Sequence, residues 1–357
     1  MIAYFYCHTS SFPDISYHTY ISIAEGLITL DIPCFGNRNM YQSSVGSEYL
    51  IKNDKTVRME DADIVFFHSN LFDYVNENTN NTIRKITQTA GRKFITVFID
   101  DADGLITPGY EKGAQSCDMV LKCHYNEKYK YPSNFHPWQF GLTNRILNAV
   151  KPQPFEKRDN SILVNFRAKH QLRDFVNSKI RTIVEKNMFW DQTTNGFTTE
   201  GYDSEDLMFW KQTGGRHCPD YYNKLSHVKV CSCYGGVFAV SWGNTNKYTA
   251  KIVRKLNDFI KLSKWDRVRQ WDSWRLWEAW AAGCCVIHID FDKYGCRLPE
   301  MPENGIHYIG IDIDDLDKFE RIFNHDARSI AQNGKEFILK NYTPFHTAKR
   351  LLKMIQQ

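Results

Sequence analysis

The chain has no apolar run long enough to cross a bilayer as a helix, and its start, MIAYFYCHTSSF, lacks the basic stretch and long apolar core of a secretory signal. It has no C-x-x-C pair, so the usual zinc-ligand spacing is missing. Its first strand is not followed by the G-x-G-x-x-G fingerprint of dinucleotide binders. Net charge is scarce too: 45 basic residues against 41 acidic leave +4 on 357 residues, which speaks against a dedicated nucleic-acid binder but permits a local basic patch for an anionic substrate. Short-period repeats and low-complexity tracts are absent. These absences point to a folded cytoplasmic protein whose 10 cysteines, including Cys231, Cys233 and the neighbours Cys284 and Cys285, are reduced thiols.

What is present is a large apolar and aromatic fraction: 42% hydrophobic residues, with 9 Trp, 19 Tyr and 23 Phe, enough for large cores and ring-lined pockets. The length fits two domains. Apolar runs of strand length alternate with helical patterns: IAYFYC, ADIVFF, FITVFID and CDMVLKCH, with helices between, predict a first α/β series over residues 1–150. The stretch NAVKPQPFEKRDN, with two Pro and mixed charge, reads as a linker. SILVNF, HQLRDFVNSKIRTIVEK, YYNKLSH, VKVCSC and HYIGI then predict a second series over 151–335, closed by a C-terminal helix within 336–357. Two such domains leave a cleft between mainly parallel sheets, and ligands of parallel sheets sit at the carboxyl ends of the strands.

QWDSWRLWEAWAAGCCVIHIDFD, residues 270–292, is the most informative stretch. It predicts a helix ending at Gly283 and feeding a buried strand. Glu278 is a carboxylate on a helix of Trp, Leu and Ala, so it needs a partner or a ligand; Arg275, three residues earlier, is the ordinary partner. Trp271, Trp274, Trp277 and Trp280 recur every three residues, a spacing that drifts around a helix of 3.6 residues per turn. They cannot share one face.

The blocks YYNKLSHVKVCSCYGG, SWRLWEAWAAGCCVIHID and NGKEFILKNYTPFHTAKRLL, in that order, resemble the C-terminal half of GT-B glycosyltransferases, particularly exostosin-like and related nucleotide-sugar transferases. The resemblance implies an α/β, GT-B fold of two Rossmann-like domains, with a nucleotide-sugar, UDP- or GDP-linked, on the second and a glycan or lipid-linked acceptor on the first. By position, Glu278 then accepts from the ribose hydroxyls, Arg167 and Lys169 hold the diphosphate, and Tyr234, Gly235 and Gly236 form a turn that admits the ligand. Arg275 lies in the same site. Gln270 stands where the large retaining family has the first Glu of E-x7-E. With Arg and Lys supplying positive charge, no metal is required, and the last helix crosses back to the first domain.

In the first domain, Asp101 and Asp103 form a D-x-D, which in metal-dependent transferases of another fold holds a divalent cation. We read the loop instead as facing the cleft, with Asp101 positioned for the acceptor hydroxyl. His8, at the end of the first strand, is the other candidate base, with His68 and His124 competing. Residues 247–265 predict an amphipathic helix with basic flanks, packed on the second domain or contacting a membrane peripherally. A chain that keeps the fold as an inactive nucleotide- or glycan-binding protein is the alternative outside enzymes.

Overall fold

Side chains that alternate between two cores along two strands explain the first half of the molecule. The computed structural model describes residues 1–8, 12–71, 77–102, 111–166, 171–193, 199–235, 237–238 and 268–356. The first half contains β1 (Ala3–Phe5), β2 (Cys34–Gly36), β3 (Met40–Gln42), β4 (Tyr49–Ile51), β5 (Ile64–His68), β6 (Ile95–Asp100), β7 (Met119–Lys122) and β8 (Phe135–Pro137). Helices α1 (Pro13–Thr29), α2 (Glu77–Thr87), α3 (Lys112–Gln115) and α4 (Asn144–Ala149) connect them. On β5, Ile64 and Phe66 enter the core under α1, while Val65 and Phe67 enter the core under α2 and α3. Strand β6 repeats the pattern, with Val97 and Ile99 on one face and Phe98 on the other. Both faces are covered, so both strands are apolar along most of their length, as a parallel sheet requires; the polar residues are Thr96 and, at the carboxyl ends, His68 and Asp100. The sheet runs β2-β1-β5-β6-β7-β8, and each neighbouring pair is parallel. β3 and β4 form a separate antiparallel ribbon.

The second half contains β9 (Asp159–Leu163), β10 (Phe189–Asp191), β11 (Val228–Ser232), β12 (Val237–Phe238), β13 (Val268–Gln270), β14 (Cys285–Ile289) and β15 (Ile309–Ile311). Its helices are α5 (Gln171–Val184), α6 (Ser204–Gln212), α7 (Pro219–His227), α8 (Trp274–Ala281), α9 (Phe291–Tyr294), α10 (Ala327–Asn341) and α11 (Pro344–Ile355). The parallel sheet runs β10-β9-β11-β14-β15. Leu172, Val176, Ile180 and Val184 recur every four residues along α5 and bury one stripe in this core. The core begins before residue 151, since Leu142, Ile146 and Val150 belong to it.

Helix α8 stops as its sequence predicts. Gly283 adopts φ +67°, and Arg158 donates to the carbonyls of Ala282 at 2.8 Å and Gly283 at 2.7 Å, satisfying the helix end before β14 begins. Trp271, Trp277 and Trp280 are buried outright, and only Trp274 is half-exposed. Helix α2 ends at Thr87, and Gly91 turns the chain afterwards at φ +70°.

Helix α1 is buried on nearly every side because it is shared. Its Tyr20 and Ile21 cover the first sheet, Ser22 donates to Leu142 O at 2.6 Å, and Gly26 lies against the last helix. A Cβ at Gly26 would come within 1.9 Å of Pro344 O, so the approach of α11 depends on that missing atom. Ala348 and Leu351 of α11 lie in the first-sheet core. Among the described residues, no helix is long and apolar enough to cross a membrane.

Candidate functional site

In each sheet the chain first adds a strand on one side and then crosses to the other, which leaves a crevice at the carboxyl ends of the two strands flanking the crossover. In the second sheet those strands are β9 and β11. Asn165 and Phe166 follow β9, and Tyr234 and Gly235 follow β11. Arg275 reaches this corner from the first turn of α8, donating through Nη1 to Asn165 Oδ1 at 2.9 Å and through Nη2 to Asn165 O at 2.7 Å. Its guanidinium lies 4.7 Å from the Phe166 ring centroid, and that of Arg173, from α5, lies 4.3 Å from the same centroid. Burial lowers the pKa of Arg173 to about 10, with the charge of Arg275 adding to the effect. For Arg275 burial also disfavours charge, but Tyr221, the Cys231 and Cys233 thiols and Glu278 outweigh it. Gly235 lies against Arg173, because a Cβ there would sit 2.8 Å from Arg173 Nη2. Tyr234 donates its hydroxyl to Asn177. Two guanidiniums beside a glycine turn at a strand end are the donor set that a doubly charged anion requires.

One turn further along α8, Glu278 is only 5% exposed. Its Oε1 accepts the Tyr222 hydroxyl at 3.0 Å, whereas Arg275 turns away to Asn165. Tyr222 in turn accepts from Arg145 Nη1 at 2.7 Å, and Arg145 Nε donates to Asp14 Oδ2 at 2.6 Å. Burial works against the Asp14 carboxylate, but Arg145 and His18 hold its pKa at about 2. His217 Nδ1 lies 3.4 Å from Arg145 Nη1, and its Nε2 faces Asp206 at 2.9 Å. Burial lowers the His217 pKa and so favours a neutral ring that can accept from Arg145. Trp274 stands over this chain of contacts, 4.5 Å from the His18 ring and 5.4 Å from the Arg145 guanidinium.

In the first sheet the crossover strands are β1 and β5, which deliver His8 and His68. His68 Nδ1 accepts the Asn70 backbone N–H at 3.2 Å, so the proton on Nε2 faces Thr19 Oγ1 and Asp101 Oδ2, each at 3.1 Å. Asp101, beyond the end of β6, also accepts from Ser69 Oγ at 2.6 Å and Thr19 Oγ1 at 3.1 Å. Although burial raises its pKa, His68 and these hydroxyls bring it below the ordinary carboxylate value. The neighbouring Asp100 pairs with buried Lys122 at 2.9 Å. His8 is half-buried, with its backbone N–H donating to Tyr17 Oη at 2.7 Å. His124 is neutral, its pKa lowered by burial to about 3, and its Nδ1 accepts the backbone N–H groups of Trp271 at 3.2 Å and Asp272 at 3.1 Å.

No protein-family model matches the chain, and no curated protein does. Solved structures do match. An alpha-glucosyltransferase in complex with UDP-glucose and DNA containing an abasic site matches with a TM-score of 0.56 at 11% identity, covering 100% of this chain and 99% of its own. An alpha-glucosyltransferase in complex with UDP gives 0.53 at 10% identity over 100% and 99%. A glycosyltransferase from Rickettsia africae ESF-5 gives 0.51 at 10% identity over 99% and 97%. The fold is GT-B. At these identities the likeness carries the architecture, and the chemistry has to be argued from this chain's own GT-B cleft.

The residues singled out by sequence fall into two groups, one at the strand ends of each domain. Glu278, Arg275, Tyr234 and Gly235 converge on the second domain, and Asp101 and His8 lie at the strand ends of the first. Gln270 ends β13, where it pairs with Val237 of β12. Arg167, Lys169, Gly236, Asp103 and residues 247–265 lie outside the described residues. Among the described residues, no group of three or more His, Cys, Asp or Glu side chains is arranged around a common metal position. Sequence reasoning missed Arg173, Arg145, Tyr222 and Asp14. Arg173 looks like the solvated side of an amphipathic helix, and Arg145 and Asp14 meet across 131 residues of chain, a pairing that periodicity cannot show.

Proposed function

We propose that the protein is a glycosyltransferase that moves a sugar from a nucleoside diphosphate donor, UDP- or GDP-linked, to a hydroxyl of a glycan or other acceptor. The observation that carries this reading is that one helix holds both buried Glu278 and Arg275, whose guanidinium shares the Phe166 ring with Arg173. A carboxylate has acceptors and no donors, so it suits the vicinal ribose hydroxyls. Oε1 of Glu278 is held by Tyr222, and among the described residues its other oxygen has no protein hydrogen bond. Arg275 and Arg173 supply positive charge where a diphosphate would leave, and fixed cations in a dry site stabilise the charge that grows as the glycosidic bond breaks. Arg167 and Lys169 keep their assignment to the same phosphates, and Tyr234, Gly235 and Gly236 theirs to the turn beside them. The order of sequence blocks supports an exostosin-like donor half.

On the first domain we assign Asp101 to the acceptor hydroxyl, with His8 nearby and His68, Ser69 and Thr19 fixing the carboxylate. The cytoplasm is the compartment we infer, because the ten cysteines are unpaired and nine of them are buried.

Thermal-shift titration with UDP, GDP, ADP, CMP and their sugar conjugates tests the reading. A nucleotide at ~100 times its dissociation constant stabilises the protein by about 2.7 kcal/mol, and we expect that response from UDP or GDP. No shift with any of them would reject the transferase assignment.

A further inference from the structure

The Glu278 carboxylate is held by a hydrogen-bonded relay that begins in the other domain. Asp14 lies on α1, which covers the first sheet; Arg145 lies on α4; Tyr222 lies on α7; and Glu278 lies on α8 of the second domain. The contacts run Asp14 to Arg145 at 2.6 Å, Arg145 to Tyr222 at 2.7 Å and Tyr222 to Glu278 at 3.0 Å. All four residues are buried, from 0% exposure at Asp14 to 5% at Glu278.

Donor and acceptor counting fixes the direction of this relay. A guanidinium has donors only, so the Arg145 contact occupies a lone pair of the Tyr222 oxygen. The hydroxyl carries a single proton, which must then point at Glu278. Burial raises the pKa of Tyr222, so the hydroxyl keeps that proton. Arg145 is itself anchored by Asp14 and cannot rotate away without leaving two buried charges apart. Glu278 is therefore locked with Oε1 inward. Only its other oxygen can face the cleft.

We propose that Arg145 and Tyr222 are positioning residues for the donor nucleoside: through them Asp14, on the acceptor-side domain, holds Glu278 in the one rotamer that presents an acceptor oxygen to the ribose hydroxyls. The ribose site is then complete only when α1 is docked against the second domain. Donor recognition and domain arrangement become one equilibrium, since whatever separates Asp14 from Arg145 frees the Tyr222 proton and lets Glu278 turn. This inference rests on the reading that Glu278 binds ribose.

Two probes separate that reading from the relay: UDP and 2′,3′-dideoxyuridine diphosphate, titrated calorimetrically into the full chain. Wild-type protein should prefer UDP by about tenfold or more, the worth of one hydrogen bond to a charged group. Tyr222→Phe deletes one oxygen and leaves the Asp14–Arg145 pair intact. It should bring the preference close to one while leaving the affinity for the dideoxy probe unchanged. Arg145→Lys, which keeps the charge beside Asp14 but replaces the guanidinium fork with a single ammonium, should do the same and serves if Tyr222→Phe does not fold. A residue that only supports the fold would weaken both probes together. If wild type discriminates and the folded variants discriminate equally, the relay is wrong and the ribose reading stands. If wild type binds both probes equally, the ribose reading fails and takes the relay with it.

Discussion

Arg173 and Arg275 lean on one aromatic ring, with guanidinium carbons 4.3 Å and 4.7 Å from the Phe166 centroid, so two like charges share a half-buried corner. Burial, with the charge of Arg275 behind it, disfavours the Arg173 guanidinium, and a bound anion would offset both. Arg173→Met should leave the melting temperature of the free protein unchanged or raised. It should also weaken UDP binding by roughly 10–150-fold, as expected for a lost charge-assisted contact of about 1.5–3 kcal/mol. Parallel melting and calorimetry check both halves. A variant that melts lower and binds UDP normally would show that the pair is structural.

Glu25 is buried on α1 and accepts the Asn144 backbone N–H at 2.7 Å. Burial raises its pKa to about 8. The folded pKa lies above the unfolded one, so the folded state holds this proton where the unfolded state has lost it. The group's contribution to stability is complete below about pH 4.5 and is lost as the pH rises to about 8, at ~1.4 kcal/mol per pH unit. Glu25→Gln cannot ionise and keeps an oxygen for Asn144. Its melting temperature should therefore match that of wild type near pH 4 and exceed it increasingly up to pH 8, then by a constant margin. A pH-independent difference would contradict the assignment.

Gly26→Ala should loosen α11. The new methyl carbon meets Pro344 O at 1.9 Å and Ala348 Cβ at 2.7 Å, and a backbone carbonyl cannot swing aside as a side chain can. Overpacking of this kind costs typically about 1–3 kcal/mol. Limited proteolysis should cut the variant ahead of residue 344 faster than wild type. Equal protection would mean that the two helices separate without cost.

Trp277 and Trp274 should respond differently to truncation. Trp277 is fully buried against Trp280 and Tyr342 and donates to Asp272 Oδ1 at 2.7 Å, so Trp277→Ala should cost about 3–5 kcal/mol. Trp274 is half-exposed beside His18, Arg145 and Arg216. Trp274→Ala should destabilise less, because part of that ring already faces solvent. Chemical denaturation of the two variants gives the comparison, and equal losses would place both in the core.

The parts of this molecule that could be read in its sequence are those fixed by neighbours in the chain. β5 and β6 show themselves because strands covered on both faces carry near-continuous apolar runs, and α8 shows its end because Gly283 takes a left-handed conformation. Glu278 stands out as a charge on an apolar helix. β3, β4 and β8 have three residues each, too few to show a period. The relay from Asp14 to Glu278 was hidden for another reason: its contacts join residues 131, 77 and 56 positions apart, and no local pattern marks such a pair. Asp101 lay between these cases. Its place at a strand end was legible, but its bonds to Ser69 and Thr19 needed the folded sheet.

The central claim is that Glu278 and its neighbouring cations form a nucleoside diphosphate site. Calorimetric titration of UDP and GDP into wild type and Glu278→Ala tests it most directly. We expect saturable one-to-one binding of at least one nucleotide to wild type, and a loss of about 1.5–3 kcal/mol, roughly 10–150-fold in dissociation constant, in a Glu278→Ala protein that remains folded. Equal affinity in the two proteins, or no binding to either, would contradict the account.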